Sequence, residues 1–166
     1  MINKNHIFTK NCLRTICSVL LLITINADAK EVIGIYEKVS INGTNFSLRA
    51  KIDTGAKNSS LNAVNYEIYS RDGENWIRFD MVNKEGKTIS LNKRVKRYTG
   101  IKRKNASSQK RPAILLDICI GKVSKKVEVN LVDRSNFNYQ LLIGRSFLHG
   151  AFIVDVEKTY TSEPRC

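Results

Sequence analysis

Hydrophobic and polar positions alternate most cleanly between Phe46 and Ile52. Phe46, Leu48, Ala50 and Ile52 fall on one side, while Ser47, Arg49 and Lys51 fall on the other. This two-residue period belongs to a strand with one buried face. Upstream, Val39-Ser40-Ile41 leads into Asn42-Gly43, a turn pair that joins hairpin strands. Further strands are predicted over Trp76–Val82 and Lys87–Leu91, joined across Asn83-Lys84-Glu85-Gly86. Ala113–Ile120 and Lys126–Val132 form another hairpin across Gly121-Lys122. Ser59–Tyr69 reads as a strand or a short irregular stretch. Leu141-Leu142-Ile143 reads as a short buried strand, Gly144–Gly150 as a turn or single helix, and Ala151–Val156 as a closing strand. Many short strands with turn signals predict a closed β barrel or sandwich.

The first 29 residues follow another pattern. Lys4, Lys10 and Arg14 precede an apolar run from Ile16 to Ile25, and Ala27-Asp28-Ala29 is a small-x-small cleavage site. That is the layout of a secretory signal peptide. The run is about half the roughly 20 residues a membrane span needs, so no transmembrane segment is expected in the mature form. Cleavage leaves 137 residues, enough for one domain with a core. It lowers the formal charge from +13 to +11, since three basic residues and Asp28 depart. Such a charge fits an acidic partner or a basic protein without one. Cys119 and Cys166 remain. They pair with each other, pair across a dimer, or stay reduced; the apolar run around Cys119 favours a buried free thiol.

The chemistry-bearing segment is Ala50-Lys51-Ile52-Asp53-Thr54-Gly55-Ala56, at the end of the alternating strand. Asp-Thr-Gly by itself also describes an Asx-turn, in which the aspartate bonds its own backbone. A second segment, Leu141-Leu142-Ile143-Gly144-Arg145-Ser146-Phe147-Leu148, follows about 90 residues later. Together the two resemble the retropepsin-like aspartic proteases, whose subunits carry one Asp-Thr/Ser-Gly loop and a later Gly-Arg segment beneath it. Trp76-Ile77-Arg78-Phe79, Arg111-Pro112-Ala113 and Val132-Asp133-Arg134-Ser135 extend the likeness. With them the chain resembles a bacterial retropepsin-like family labelled "ATP-dependent zinc protease", which includes the RimB type linked to glutamate-tail processing. The match runs from about Val32 to Val156.

The resemblance implies an all-β, single-domain retropepsin-like acid-protease barrel with one short helix near the C-terminus. The domain would span 30–158, with a flexible tail over 159–166. It implies a catalytic role for Asp53, Thr54 and Gly55, with Thr54 bracing the loop through its hydroxyl. Ala56, Gly144 and Arg145 would support the loop. One subunit offers one such aspartate, so a homodimer is implied. Retropepsins generally place an acid two residues after the motif glycine to pair with the later arginine. Here that position is Lys57, and Asp133 is the candidate substitute.

The label's zinc and ATP find little in the sequence. Catalytic zinc usually takes three protein ligands; the chain has two histidines, and His6 lies in the leader. No Gly-x-x-x-x-Gly-Lys-Ser/Thr occurs. No cofactor or metal is expected. Lys93–Arg111 holds nine basic residues and no acidic one, where retropepsins place the flap. It reads as an electropositive lid for acidic peptides, with Arg97, Lys102 and Arg103 as candidate substrate-binding residues, or as a solvated loop. Its single aromatic, Tyr98, is thin for base stacking, so no nucleic acid is expected. The sequence therefore points to an exported peptidase acting on peptide or protein substrates. The alternative is a non-catalytic binding domain using its basic face on an anionic partner.

Overall fold

The computed structural model describes residues 29–103 and 106–166, with the side chains of 101–109 left aside. The leader, apart from Ala29, lies outside the described residues. The alternating segment forms strand β3 (Phe46–Ile52), and its four apolar side chains are all buried. It pairs antiparallel with β2 (Tyr36–Ile41), with Ile41 opposite Phe46. Gly43 carries the positive φ (78°) in the turn between them.

β3 is the middle of a larger sheet. It also includes β4 (Ser59–Asn62), β8 (Arg97–Arg103), β9 (Ala106–Ile120), β10 (Val123–Val132) and β11 (Leu141–Ile143). The strand order is β10-β4-β11-β3-β2-β9-β8, and β10 also pairs with β9. That last pairing closes six strands into a barrel and leaves β8 on its flank. The interior is filled by Val39, Ile41, Phe46, Leu48, Leu61, Ile114, Leu116, Val129, Leu141 and Ile143, among others. Among the described residues the fold is thus nearly all β, as expected, with one short helix, α1 (Arg145–Leu148).

The sequence left Ser59–Tyr69 open. It splits into β4 and β5 (Val64–Arg71), and β5 leaves the barrel to join β6 (Glu74–Val82) and β7 (Thr88–Arg94) in an antiparallel sheet. The β5–β6 turn puts Asp72 and Gly73 both at positive φ (54° and 76°), as tight hairpin turns require. Ile77, Phe79 and Met81 fasten this sheet to the core. The basic stretch is largely not a loop: apart from Val95, Lys96 and residues 104 and 105, it is built into β7 and the β8–β9 hairpin.

β1 (Glu31–Ile33) pairs parallel with β12 (Phe152–Val154). The tail beyond β12 is not loose. Tyr160 N–H donates to the Tyr36 carbonyl and Arg165 N–H to that of Gly121. Cys166 forms a disulfide with Cys119. The expectation of a free thiol fails because the tail folds back along β2 and brings the last residue to the end of β9. Closing a loop of 47 residues is worth about 4 kcal/mol in the chain-entropy account.

Candidate active site

Asp53 leaves β3 just where β11 runs beside it, and its N–H donates to the Ile143 carbonyl at 2.8 Å. Its side chain turns back on its own loop. Oδ1 accepts from Gly55 N–H at 2.9 Å and from Ala56 N–H at 3.1 Å. The Asx-turn is thus the geometry that the Asp53 loop adopts. Asp53 is half-buried, while Thr54 and Gly55 are exposed.

The Gly-Arg segment lies directly beneath. Gly144 N–H donates to the buried Ser59 hydroxyl at 3.1 Å. A Cβ on Gly144 would stand 2.6 Å from the Asn58 carbonyl carbon and oxygen, so only glycine lets the two backbones approach. Arg145 N–H donates to the Ala56 carbonyl at 2.9 Å and Ser146 N–H to that of Lys57 at 3.0 Å. The Arg145 guanidinium reaches further, donating from Nη1 to the carbonyls of Thr54 (2.9 Å) and Gly55 (2.7 Å). Four consecutive loop carbonyls are thereby held. At the other end of α1, Lys125 Nζ donates to the carbonyls of Phe147 (2.9 Å) and His149 (2.8 Å), and burial holds this ammonium below the usual lysine range.

Asp133 does not partner Arg145. Its Oδ1 accepts from Ser135 N–H at 2.9 Å, and that bond holds the carboxyl below its usual range. Asp133 closes the turn after β10, while the arginine finds its acceptors in backbone carbonyls. Lys57 consequently needs no acid: it contributes a carbonyl.

A family profile described as "Retropepsin-like aspartic endopeptidase RimB" matches residues 32–165. The chain belongs to the RimB-like family. Two proteins named "Probable alpha-L-glutamate ligase" are also similar. The one from Shewanella pealeana is 30% identical over 117 residues, covering 69% of this chain and 26% of that protein. The one from Parasynechococcus marenigrum is 28% identical over 135 residues, covering 79% and 29%. The chain thus spans under a third of the curated relatives' length. The crystal structure of a Legionella pneumophila protein described as of unknown function has 33% identity and a TM-score of 0.70. It covers 81% of this chain and 100% of that one.

In this RimB-like chain the sequence reading missed one neighbour of Asp53. Arg134, beside Asp133, is half-buried. It donates from Nε to the Tyr139 carbonyl (3.2 Å) and from Nη1 to the Ser60 hydroxyl (3.3 Å), and its guanidinium lies 4.5 Å from the Phe137 ring centre. Burial lowers its pKa most and the charge of Arg111 lowers it further, while the Asp53 carboxylate raises it. The signal was present in the Val132-Asp133-Arg134-Ser135 block, whose acid drew attention instead of its base.

Of the flap candidates, Arg97 is ion-paired with Glu128, which also faces Lys96 at 3.6 Å. Lys102 and Arg103 lie in β8, but their side chains fall outside the described residues. The zinc of the family's older label does not fit. Among the described residues no three His, Cys, Asp or Glu side chains gather. His149 stands at an open depression of about 430 Å³ whose charged residues are Lys30 and Arg145, both cations. Thr54 lines the same depression.

Proposed function

We propose that this chain is an exported aspartic endopeptidase that acts as a homodimer, each copy supplying one Asp53. The observation that carries this reading is the loop geometry. Two backbone amides fix the orientation of the Asp53 carboxylate, and the Gly144-Arg145 segment clamps the loop from below. Such a brace serves a carboxylate that must meet another group at a set distance.

One carboxylate cannot both activate water and polarise a carbonyl. Two held about 3 Å apart share a single proton. The ionised one then takes a proton from water, and the protonated one donates to the scissile carbonyl oxygen. A two-fold axis beside Asp53 supplies the second member. The surface there supports this. Val32 and Ile153, opposite one another across β1 and β12, are 48% and 54% exposed, and Val156 is 73% exposed. Ile153 lies between Phe152 and Val154, which line the depression shared with Thr54 and Arg145, and this apolar surface would be covered by a second copy.

An acidic substrate is favoured by the strongly basic chain and by Arg134, whose guanidinium bonds to a carbonyl and a hydroxyl near Asp53. Export is supported by the leader's layout and by the Cys119–Cys166 disulfide, which persists in oxidising compartments. The test is cleavage of an acidic peptide library by the wild-type protein and by Asp53→Asn. The variant should fold normally and cleave nothing, because an amide cannot share the proton; undiminished cleavage would overturn the aspartic mechanism.

A further inference from the structure

We infer that the C-terminal segment 158–166 is a redox-released strap, locked by Cys119–Cys166, whose seat is mechanically continuous with the Asp53 loop.

The strap is seated on a buried acid. Glu37 in β2 is fully buried, and its carboxylate is shared between Gly34 N–H (2.6 Å) and the strap. The strap provides Thr161 N–H at 3.1 Å, the Thr161 hydroxyl at 2.6 Å and Ser162 N–H at 3.4 Å. A buried carboxylate that loses most of its donors must be rehydrated, so lifting the strap opens the β1–β2 corner with it. Contact there is tight, since a Cβ on Gly34 would lie 2.2 Å from the Lys158 carbonyl oxygen.

From this corner the connection to Asp53 takes two hydrogen bonds. Ile35 N–H donates to the Lys158 carbonyl at 2.9 Å, and the Ile35 carbonyl accepts from Ile52 N–H at 2.9 Å. Ile52 immediately precedes Asp53. A second route passes through aromatic rings: Tyr160 of the strap neighbours Tyr139, which stacks on Tyr36 with ring centres 4.4 Å apart. Tyr139 lies two residues before β11, the strand that carries Gly144-Arg145.

The lock is placed for exchange. Cys119 is fully buried, whereas Cys166 is exposed at the chain end. A dithiol reductant is the chemical partner. Its thiolate attacks the Cys166 sulfur, the Cys119 sulfur leaves as thiolate and takes up a proton, and a mixed disulfide forms on Cys166. The second thiol of the reductant closes its own disulfide and frees Cys166, so two electrons pass to the protein. Docking also carries a standing cost, because Ser162 Oγ is buried with no partner among the described residues. Without the covalent tie, that cost favours release.

The experiment is backbone hydrogen exchange on the full mature chain, oxidised and in dithiothreitol, with Cys166→Ser as a permanently untied form. Reduction should speed exchange at Tyr160, Thr161 and Gly34 by about tenfold or more, with a smaller acceleration at Ile52 and none at Val129 in β10. Cys166→Ser should show the fast pattern with or without dithiothreitol. Unchanged exchange at Thr161 on reduction, or a Cys166→Ser chain as protected as the oxidised protein, would overturn the strap. Faster exchange at Thr161 with Ile52 unchanged would overturn its continuity with the Asp53 loop. None of these readouts depends on peptidase activity, so a failed strap and a failed mechanism are told apart.

Discussion

Arg145 Nη1 donates to two neighbouring carbonyls, those of Thr54 and Gly55, at 2.9 and 2.7 Å. An arginine that clamps backbone rather than a carboxylate explains how the loop tolerates Lys57. Arg145→Met should leave both carbonyls to water and loosen the loop without disturbing the barrel. The expected loss is about 1–3 kcal/mol in thermal or denaturant unfolding. Cleavage should fall further than stability does, because the loop sets the orientation of Asp53. Equal stability and activity in the variant would show that the clamp is incidental.

Gly144→Ala tests the close approach beneath the loop. The added methyl meets Asn58 backbone at 2.6 Å, and backbone on both sides has little freedom to yield. A destabilisation of about 2 kcal/mol or more is expected, in the range of an overpacked core. Ser59→Ala tests the same spot from the other side. It strands the Gly144 N–H and should cost about 1–3 kcal/mol by denaturant titration.

Glu128 gives a pH prediction. Its hydrogen bond with Arg97 holds its carboxyl below the usual glutamate range, with burial opposing and the charges of Arg97 and Lys96 assisting. A depressed folded-state pKa adds stability that is present above the unfolded value and lost as pH falls through the folded one. The melting-temperature difference between wild type and Glu128→Gln should therefore be full at neutral pH and shrink in acid. A difference that grows on acidification would contradict the assignment.

Arg134 is the proposed determinant for acidic substrates. Arg134→Gln should lower kcat/KM for an acidic peptide by about tenfold or more, the worth of a hydrogen bond to a charged group. The rate on a matched neutral peptide should change far less. Equal losses on both peptides would reduce Arg134 to a structural part of the 134–140 turn.

The barrel was legible because its strands declare themselves locally. Phe46, Leu48, Ala50 and Ile52 alternate, and Gly86 and Gly121 mark turns with the positive φ that favours glycine. What was illegible depends on contacts distant in sequence. Thr161 reaches Glu37 across 124 positions, and nothing near either residue announces the other. A tail of polar residues reads as solvated until its anchor is seen. The Cys119–Cys166 pairing was one of the alternatives the sequence left open, and the choice among them was hidden for the same reason. At the site, Asp53 was legible from its loop and Arg145 from its glycine. The arginine's partners were not, because backbone carbonyls have no sequence signature and an acid such as Asp133 is the more visible candidate. The β5–β7 sheet was missed as a unit because β4 runs into β5 with Ala63 alone between them.

The central claim is that Asp53 is half of a site. The direct test measures oligomeric state and peptide cleavage on the same samples across a dilution series, using sedimentation velocity and a quenched peptide. The account predicts that activity per chain tracks the dimer fraction and disappears as dimers dissociate. A species that sediments as a monomer and keeps full activity per chain would contradict it.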